Sequence, residues 1–171
     1  EADRYYLEIQ GANSSADVYL NGKHLAHHDG GYSTWRVDIT ETLERENLFA
    51  IVVNNEANDT VYPQMADFTF YGGLYRDVNI ICVNESHFDL EYYGSNGVKI
   101  TPEVVEKDAK VEILTTVTNK KEGQTIRYTI YAADGEEVAK VETAETKAVL
   151  EIKDVHLWHG RKDPYLYTAT V

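Results

Sequence analysis

One stretch constrains the fold more than any other: Phe70-Tyr71-Gly72-Gly73-Leu74-Tyr75-Arg76-Asp77-Val78, running directly into Asn79-Ile80-Ile81-Cys82-Val83. The Gly72-Gly73 pair opens a turn, because glycine takes backbone angles closed to other residues. The β-branched run behind it reads as a strand. Its unbroken apolar character predicts burial. Cys82 lies in this run and is the sole cysteine, so no internal disulfide is possible. It is expected to be an inert core residue.

The rest of the chain carries the same β signature. Arg4–Gln10 alternates and stops at Gly11. Ala16–Leu20 leads into Asn21-Gly22, the strongest short hairpin signal, because both residues tolerate positive φ. Lys23–Ala26 is the return strand. Tyr32–Ile39 is a further strand, and Thr40–Glu44 a short helical turn capped by Thr40. Leu48–Val53 is almost continuously apolar, which predicts that both its faces are buried. Residues 54–67 form a long connection carrying Tyr62 and Met65, with Phe68 just beyond. A connection of that length and content is expected to be ordered by packing. In the second half, strands are expected at Phe88–Tyr93, Val98–Val104, Ala109–Thr118, Thr125–Tyr131, Glu137–Val141, Ala148–Ile152 and Tyr165–Val171. No segment sustains helical periodicity. The pattern is all-β: a jelly-roll-like domain over residues 1–84, then an immunoglobulin-like β-sandwich over residues 85–171.

Charge narrows the partners. The formal net charge is -13 over 171 residues. That argues against nucleic acid, whose phosphates need a basic surface, and against an anionic membrane surface. No run of about 18 apolar residues exists, so no helical membrane span is expected. A neutral ligand fits this balance.

Isolated chemistry-bearing residues are few. His24, His27 and His28 surround the first hairpin, and their only neighbouring carboxylate, Asp29, begins a glycine turn. Exposed hairpin histidines are expected there, with no metal site. Glu136 and Glu137 read as turn charges. Strand propensity accounts for most of the 13 tyrosines. Trp35 and Trp158 are expected in a core or an interface.

Several segments in order carry a family resemblance. They are Ala16-Asp17-Val18-Tyr19-Leu20-Asn21-Gly22, Gly31–Trp35 with Val37–Thr40, Asn47–Asn55, and Gly73-Leu74-Tyr75-Arg76-Asp77-Val78. Leu157-Trp158 with Pro164-Tyr165-Leu166-Tyr167 completes the set. Together they resemble glycoside hydrolase family 2, the family of β-galactosidases, β-glucuronidases and β-mannosidases. Tyr62-Pro63-Gln64 favours the β-galactosidase type. The resemblance implies a sugar-binding jelly roll, N-terminally incomplete, followed by an immunoglobulin-like domain. It also implies a (β/α)8 barrel beyond Val171 that holds both catalytic carboxylates. The chain is therefore expected to be a non-catalytic portion of a retaining glycosidase, with no catalytic residue, no metal ligand and no cofactor of its own.

The resemblance places Asn54 and Asn55 where the family's pocket-facing loop leaves its strand. Amide donors and acceptors suit sugar hydroxyls, so these two are the candidate substrate-binding residues. A turn-stabilising role is the alternative for each. Implied partners are a carbohydrate substrate, the barrel of the same chain and further copies in a homo-oligomer. The missing strands are expected to leave an exposed sheet edge and an apolar face. A stand-alone carbohydrate-binding module and a structural pair of sandwiches remain the rival readings.

Overall fold

The computed structural model describes residues 2–171. The chain divides into one unit ending at Asn96 and a second spanning Gly97–Val171. This division lies downstream of the boundary expected after Asn84.

The first unit contains β1 (Arg4–Ile9), β2 (Ala12–Asn13), β3 (Ser15–Leu20), β4 (Lys23–Asp29), β5 (Trp35–Asp38), β6 (Phe49–Asn54), β7 (Gly73–Leu74), β8 (Val78–Val83) and β9 (His87–Phe88). Two three-stranded antiparallel sheets, β5-β1-β8 and β4-β3-β6, enclose its core. Strand alternation sends Leu7 and Ile9 inward from β1, Val18 and Leu20 from β3, and Trp35 and Val37 from β5. Each fully buried side chain of this size contributes about 1.5–3 kcal/mol relative to exposure.

The hairpin between β3 and β4 turns where expected. Asn21 and Gly22 both adopt positive φ, 52° and 81°. The Asn21 amide is also used up locally. Its Nδ2 donates to the Thr42 carbonyl at 3.2 Å, and its Oδ1 accepts the Leu48 N–H at 2.9 Å.

Four expectations are corrected. The strand over Leu48–Val53 is not buried on both faces: β6 alternates, and Val52 is 56% exposed on the outer side. The strand after Gly73 is not a core strand: β8 ends its sheet, Ile80 is 51% exposed and Cys82 is exposed. Thr40 does not cap the short 3-10 turn at Thr40–Thr42. Asp38 does that work, its Oδ1 accepting the Thr40 N–H at 2.8 Å. The long connection is not held by its aromatic residues. Tyr62 is 85% exposed, and Met65 and Phe68 are also exposed. Polar side chains order the connection instead, as described below.

The second unit contains β10 (Val98–Val105), β11 (Asp108–Thr115), β12 (Val117–Thr118), β13 (Ile126–Tyr131), β14 (Glu137–Thr143), β15 (Lys147–Ile152) and β16 (Thr168–Thr170). Its sheets are β10-β11-β15 and β14-β13-β16. Val111, Ile113, Tyr128, Ile130, Leu150 and Ile152 fill the space between them. The expected last strand over Tyr165–Val171 shortens to β16. The expected strand over Phe88–Tyr93 reduces to β9 and a 3-10 turn at Tyr92–Gly94. Trp35 is buried as expected, whereas Trp158 is 63% exposed. The chain is all-β: a partial jelly roll, then an immunoglobulin-like sandwich.

Candidate functional site

Register brings the candidate residues to one end of the first unit. Ser15 opens β3 with Asp29 opposite it on β4 and Asn54 opposite it on β6. Asn13 of β2 pairs with Gly73 of β7. The Asp29–Ser33 turn and the connection over residues 55–72 gather around this strand end. They enclose a cavity of about 250 Å3 whose lining includes Asn13, Asp29, Tyr32, Tyr62, Gln64 and Phe70.

The connection is stitched down by amides and hydroxyls. The Gln64 Nε2 donates to the Asn55 carbonyl at 2.8 Å. The Asn58 Nδ2 donates to Ser15 Oγ at 3.2 Å, and the Asn58 Oδ1 accepts from the Thr60 N–H at 2.9 Å. At the far end the Asn13 Nδ2 donates to the Tyr71 carbonyl at 2.8 Å. At Gly72 a Cβ would stand 2.7 Å from the Asn55 Nδ2, so the exposed Asn55 side chain would have to turn aside.

The two candidates differ in their surroundings. Asn54 is consumed by a local turn. Its Oδ1 accepts the Glu56 N–H at 2.9 Å, and its carbonyl accepts the Ser14 N–H at 3.0 Å. That is the turn-forming role of an asparagine. The Asn55 side chain is exposed and rests against Gly72. Among the described residues its side chain has no hydrogen-bond partner, and neither Asn54 nor Asn55 is among the residues lining the cavity.

Sequence reasoning missed the supports of this end. Tyr75 donates its hydroxyl to the Gly31 carbonyl, and the Arg76 Nη1 donates to the Tyr32 carbonyl at 3.0 Å. The Leu74-Tyr75-Arg76 segment thus clamps the turn that forms one cavity wall. Asn13, Ser15 and Asp29 were also missed. Asn13-Ser14-Ser15 is a run of small polar residues immediately before a strand, and nearly all of it is buried. That signal is available in the sequence but carries no chemistry until the register is known.

Electrostatics are simple. Asp29 is the one carboxylate in the cavity lining. The Ser15 hydroxyl, donating at 2.6 Å, holds it below the usual carboxylate range. Outside the cavity the histidines form a ladder on the hairpin surface. The His24 Nε2 and His27 Nδ1 share Asp17 Oδ1 at 2.8 and 3.1 Å, and the His27 Nε2 faces Asp29 Oδ1 at 3.2 Å. The Asp17 hydrogen bond raises the His27 pKa. Burial beside Trp35 lowers that of His28. The signs oppose each other. The His27 contribution to stability is complete below about pH 6.5 and is lost as pH rises through its folded value. His28 costs stability as pH falls through its own lowered value. Histidine ring proton NMR is expected to show His27 titrating above about 6.5 and His28 below it. Equal midpoints would contradict this geometry.

A cavity walled by aromatic rings and lined by amides and hydroxyls suits an uncharged, hydroxyl-bearing ligand.

The architecture is that of an all-β, two-unit chain: a galactose-binding-like sandwich followed by an immunoglobulin-like one. Residues 1–70 match the family model described as "Glycosyl hydrolase 2 galactose-binding domain-like", and residues 96–171 match "Glycosyl hydrolases family 2". The chain belongs to glycoside hydrolase family 2. It is 32% identical to a β-glucuronidase of Bacteroides fragilis, over 98% of this chain and 26% of that protein. It is 27% identical to a β-galactosidase of Thermoanaerobacter pseudethanolicus, over 98% of this chain and 23% of that protein. Among solved structures, an FMN-binding β-glucuronidase from Facaelibacterium prausnitzii L2-6 superposes with a TM-score of 0.88 at 40% identity. That match covers 97% of this chain and 26% of the other. The chain thus spans about a quarter of the length of the relatives it matches.

Proposed function

We propose that this chain is the non-catalytic N-terminal portion of a retaining glycoside hydrolase acting on terminal β-linked sugars, β-glucuronides first and β-galactosides second. The observation that carries the reading is the match of both units, in order, to one family of glycosidases. The order of substrates follows the 40% identity to one β-glucuronidase; at 32% a β-glucuronidase and a putative β-galactosidase, both of Bacteroides fragilis, stand level. Tyr62-Pro63-Gln64 supports the galactoside reading. In this scheme the cleaving carboxylates come from the remainder of the enzyme, and the cavity end of the first unit borders the substrate.

A panel of nitrophenyl β-glycosides assayed on the full-length enzyme tests this. The highest kcat/KM on the glucuronide supports the first reading, and on the galactoside the second. Hydrolysis of none of them leaves a stand-alone binding module in its place.

Asn55 is the side chain we assign to the substrate. Losing one hydrogen bond to a sugar hydroxyl costs on the order of 1 kcal/mol or somewhat more. Asn55→Ala in the full-length enzyme is therefore expected to lower kcat/KM by about tenfold. Asn54→Ala is expected to lower the melting temperature and to leave kcat/KM unchanged. The reverse outcome would exchange their roles.

A further inference from the structure

The β3-β4 hairpin is wired by hydrogen bonds to the connection that walls the cavity. Strand register places Asp17 opposite His27 and Ser15 opposite Asp29. Residues two apart along a strand share a face, so these four side chains form a square. The His27 Nδ1 lies 3.1 Å from Asp17 Oδ1, and the His27 Nε2 lies 3.2 Å from Asp29 Oδ1. The Ser15 hydroxyl donates to the same Asp29 oxygen at 2.6 Å. Ser15 Oγ in turn accepts the Asn58 Nδ2 at 3.2 Å, and Asn58 Oδ1 accepts the Thr60 N–H at 2.9 Å. Each donor from Thr60 to Ser15 points toward Asp29, and bonds aligned in this way strengthen one another. The chain runs from an imidazole on the hairpin to the backbone of the connection, and Asp29 and Thr60 both line the cavity.

The protonation of His27 decides whether the chain closes. A carboxylate only accepts, and a neutral imidazole carries a single N–H. Both ring nitrogens face carboxylate oxygens here, so both contacts are hydrogen bonds only in the imidazolium. A neutral ring turns one lone pair onto a carboxylate oxygen and removes the positive charge between Asp17 and Asp29. Asp17 keeps His24, whose Nε2 lies 2.8 Å from its Oδ1. Among the described residues Asp29 has no ion-pair partner other than His27. From β3 the His27 ring faces Asp17, whereas Tyr19 packs on His24. His24, His28 and Asp29 flank it on its own strand. His28 turns to the other face, its ring stacked on Trp35 of β5.

We propose that His27 is a pH-sensitive latch on the cavity wall: as an imidazolium it bridges Asp17 and Asp29 and fastens the connection over residues 55–72 through Ser15 and Asn58, and as a neutral ring it lets that connection loosen. The sign follows from the charge. The latch is fastened below about pH 6.5 and releases as pH rises through the folded value of His27, which its Asp17 bond raises. Exposed pairs of this kind shift an equilibrium by a factor of about two to five, so the release is partial. The latch is independent of what the cavity binds.

Hydrogen exchange followed by mass spectrometry on the full-length enzyme tests the proposal, over peptides covering residues 55–64 and between about pH 6 and 9, the span in which a histidine changes charge. Taking the rate in His27→Gln over the rate in the parent at each pH divides out the chemical pH dependence of exchange. The expected ratio is near one at the alkaline end and about two to five at the acid end. Asp29→Asn is expected to behave as His27→Gln does, and carries the test if that variant fails to fold. His24→Gln is expected to keep the pH dependence of the parent. A ratio that does not change with pH overturns the proposal. So does an equal response from His24→Gln, because His24 reaches Asp17 and not Asp29.

Discussion

Arg36→Met is expected to destabilise the first unit by roughly 3–5 kcal/mol, the usual cost of orphaning a buried charge. Arg36 on β5 stands directly opposite Glu8 on β1. Its Nε and Nη2 both lie 2.8 Å from Glu8 Oε2. Its Nη1 donates to the Leu90 carbonyl at 2.9 Å and to the Ser95 carbonyl. One guanidinium therefore ties two strands to the segment that closes the unit. Glu8 is 8% exposed. Burial pushes its pKa up, but hydrogen bonds from Gln10, Arg36 and Asn79 outweigh that and bring it below the ordinary value. A depressed carboxylate stabilises the fold above its unfolded value, about 4.3, and that support is lost as pH falls through the folded value. Without Arg36 the carboxylate loses its counter-charge and two carbonyls lose their donor. The emission of Trp35, the neighbour of Arg36 on β5, reports the loss in urea. The double variant Glu8→Leu/Arg36→Met is expected to recover most of the stability, because an apolar pair of similar volume removes the orphaned charge. An Arg36→Met variant within about 0.5 kcal/mol of the parent, the range of ordinary surface substitutions, would show the pair to be a surface ornament.

That ion pair also shows what the sequence could and could not reveal. Arg4–Gln10 reads as a strand from its alternation, and β1 is there. Nothing local says that Glu8 points into a buried site, because its partner lies on another strand and its remaining ligands at Gln10 and Asn79. The Asn21-Gly22 hairpin was legible because its cause is local: two residues that accept positive φ. The apolar runs Leu48–Val53 and Ile80–Val83 were misread for the opposite reason. Apolarity records what a strand can bury, whereas burial needs a layer on the other side. β6 and β8 are end strands, so half of each run stays wet, and Cys82 with it. The connection over residues 54–67 was legible as ordered, but its cause was not. Asn58 and Gln64 hold it, and a polar residue in a loop looks the same whether it faces water or a buried serine. Asn54 and Asn55 illustrate the same limit. They are adjacent and identical in type, and only the Glu56 N–H separates a turn former from a free amide.

Tyr128→Ala is expected to cost about 3–5 kcal/mol in the second unit, the range for truncating a large buried aromatic ring. Tyr128 is fully buried, at 0% exposure, in the middle of β13. Its ring belongs to the sheet β14-β13-β16 and crosses the sandwich to the other sheet. There its hydroxyl donates to Thr115 Oγ1 of β11 at 2.9 Å, with the Glu145 carbonyl at 3.2 Å as a second acceptor for the same proton. Thr115 in turn donates to the Thr146 carbonyl at 2.9 Å. The hydroxyl therefore links the two sheets and the turn that leads into β15. Two effects separate by substitution. Tyr128→Phe keeps the ring and removes the hydroxyl, for about 1 kcal/mol. Tyr128→Ala removes both and leaves a cavity where neighbouring backbone is held by two ladders and cannot collapse. Hydrogen exchange of the β13 amides over a urea series measures each, since β13 lies in the second unit. Their transition is expected to move early for both variants, by an amount about three to five times larger for alanine, taking those two costs as a ratio. Equal shifts for phenylalanine and alanine would mean that the hydroxyl network, rather than the packed ring, holds the second sandwich together.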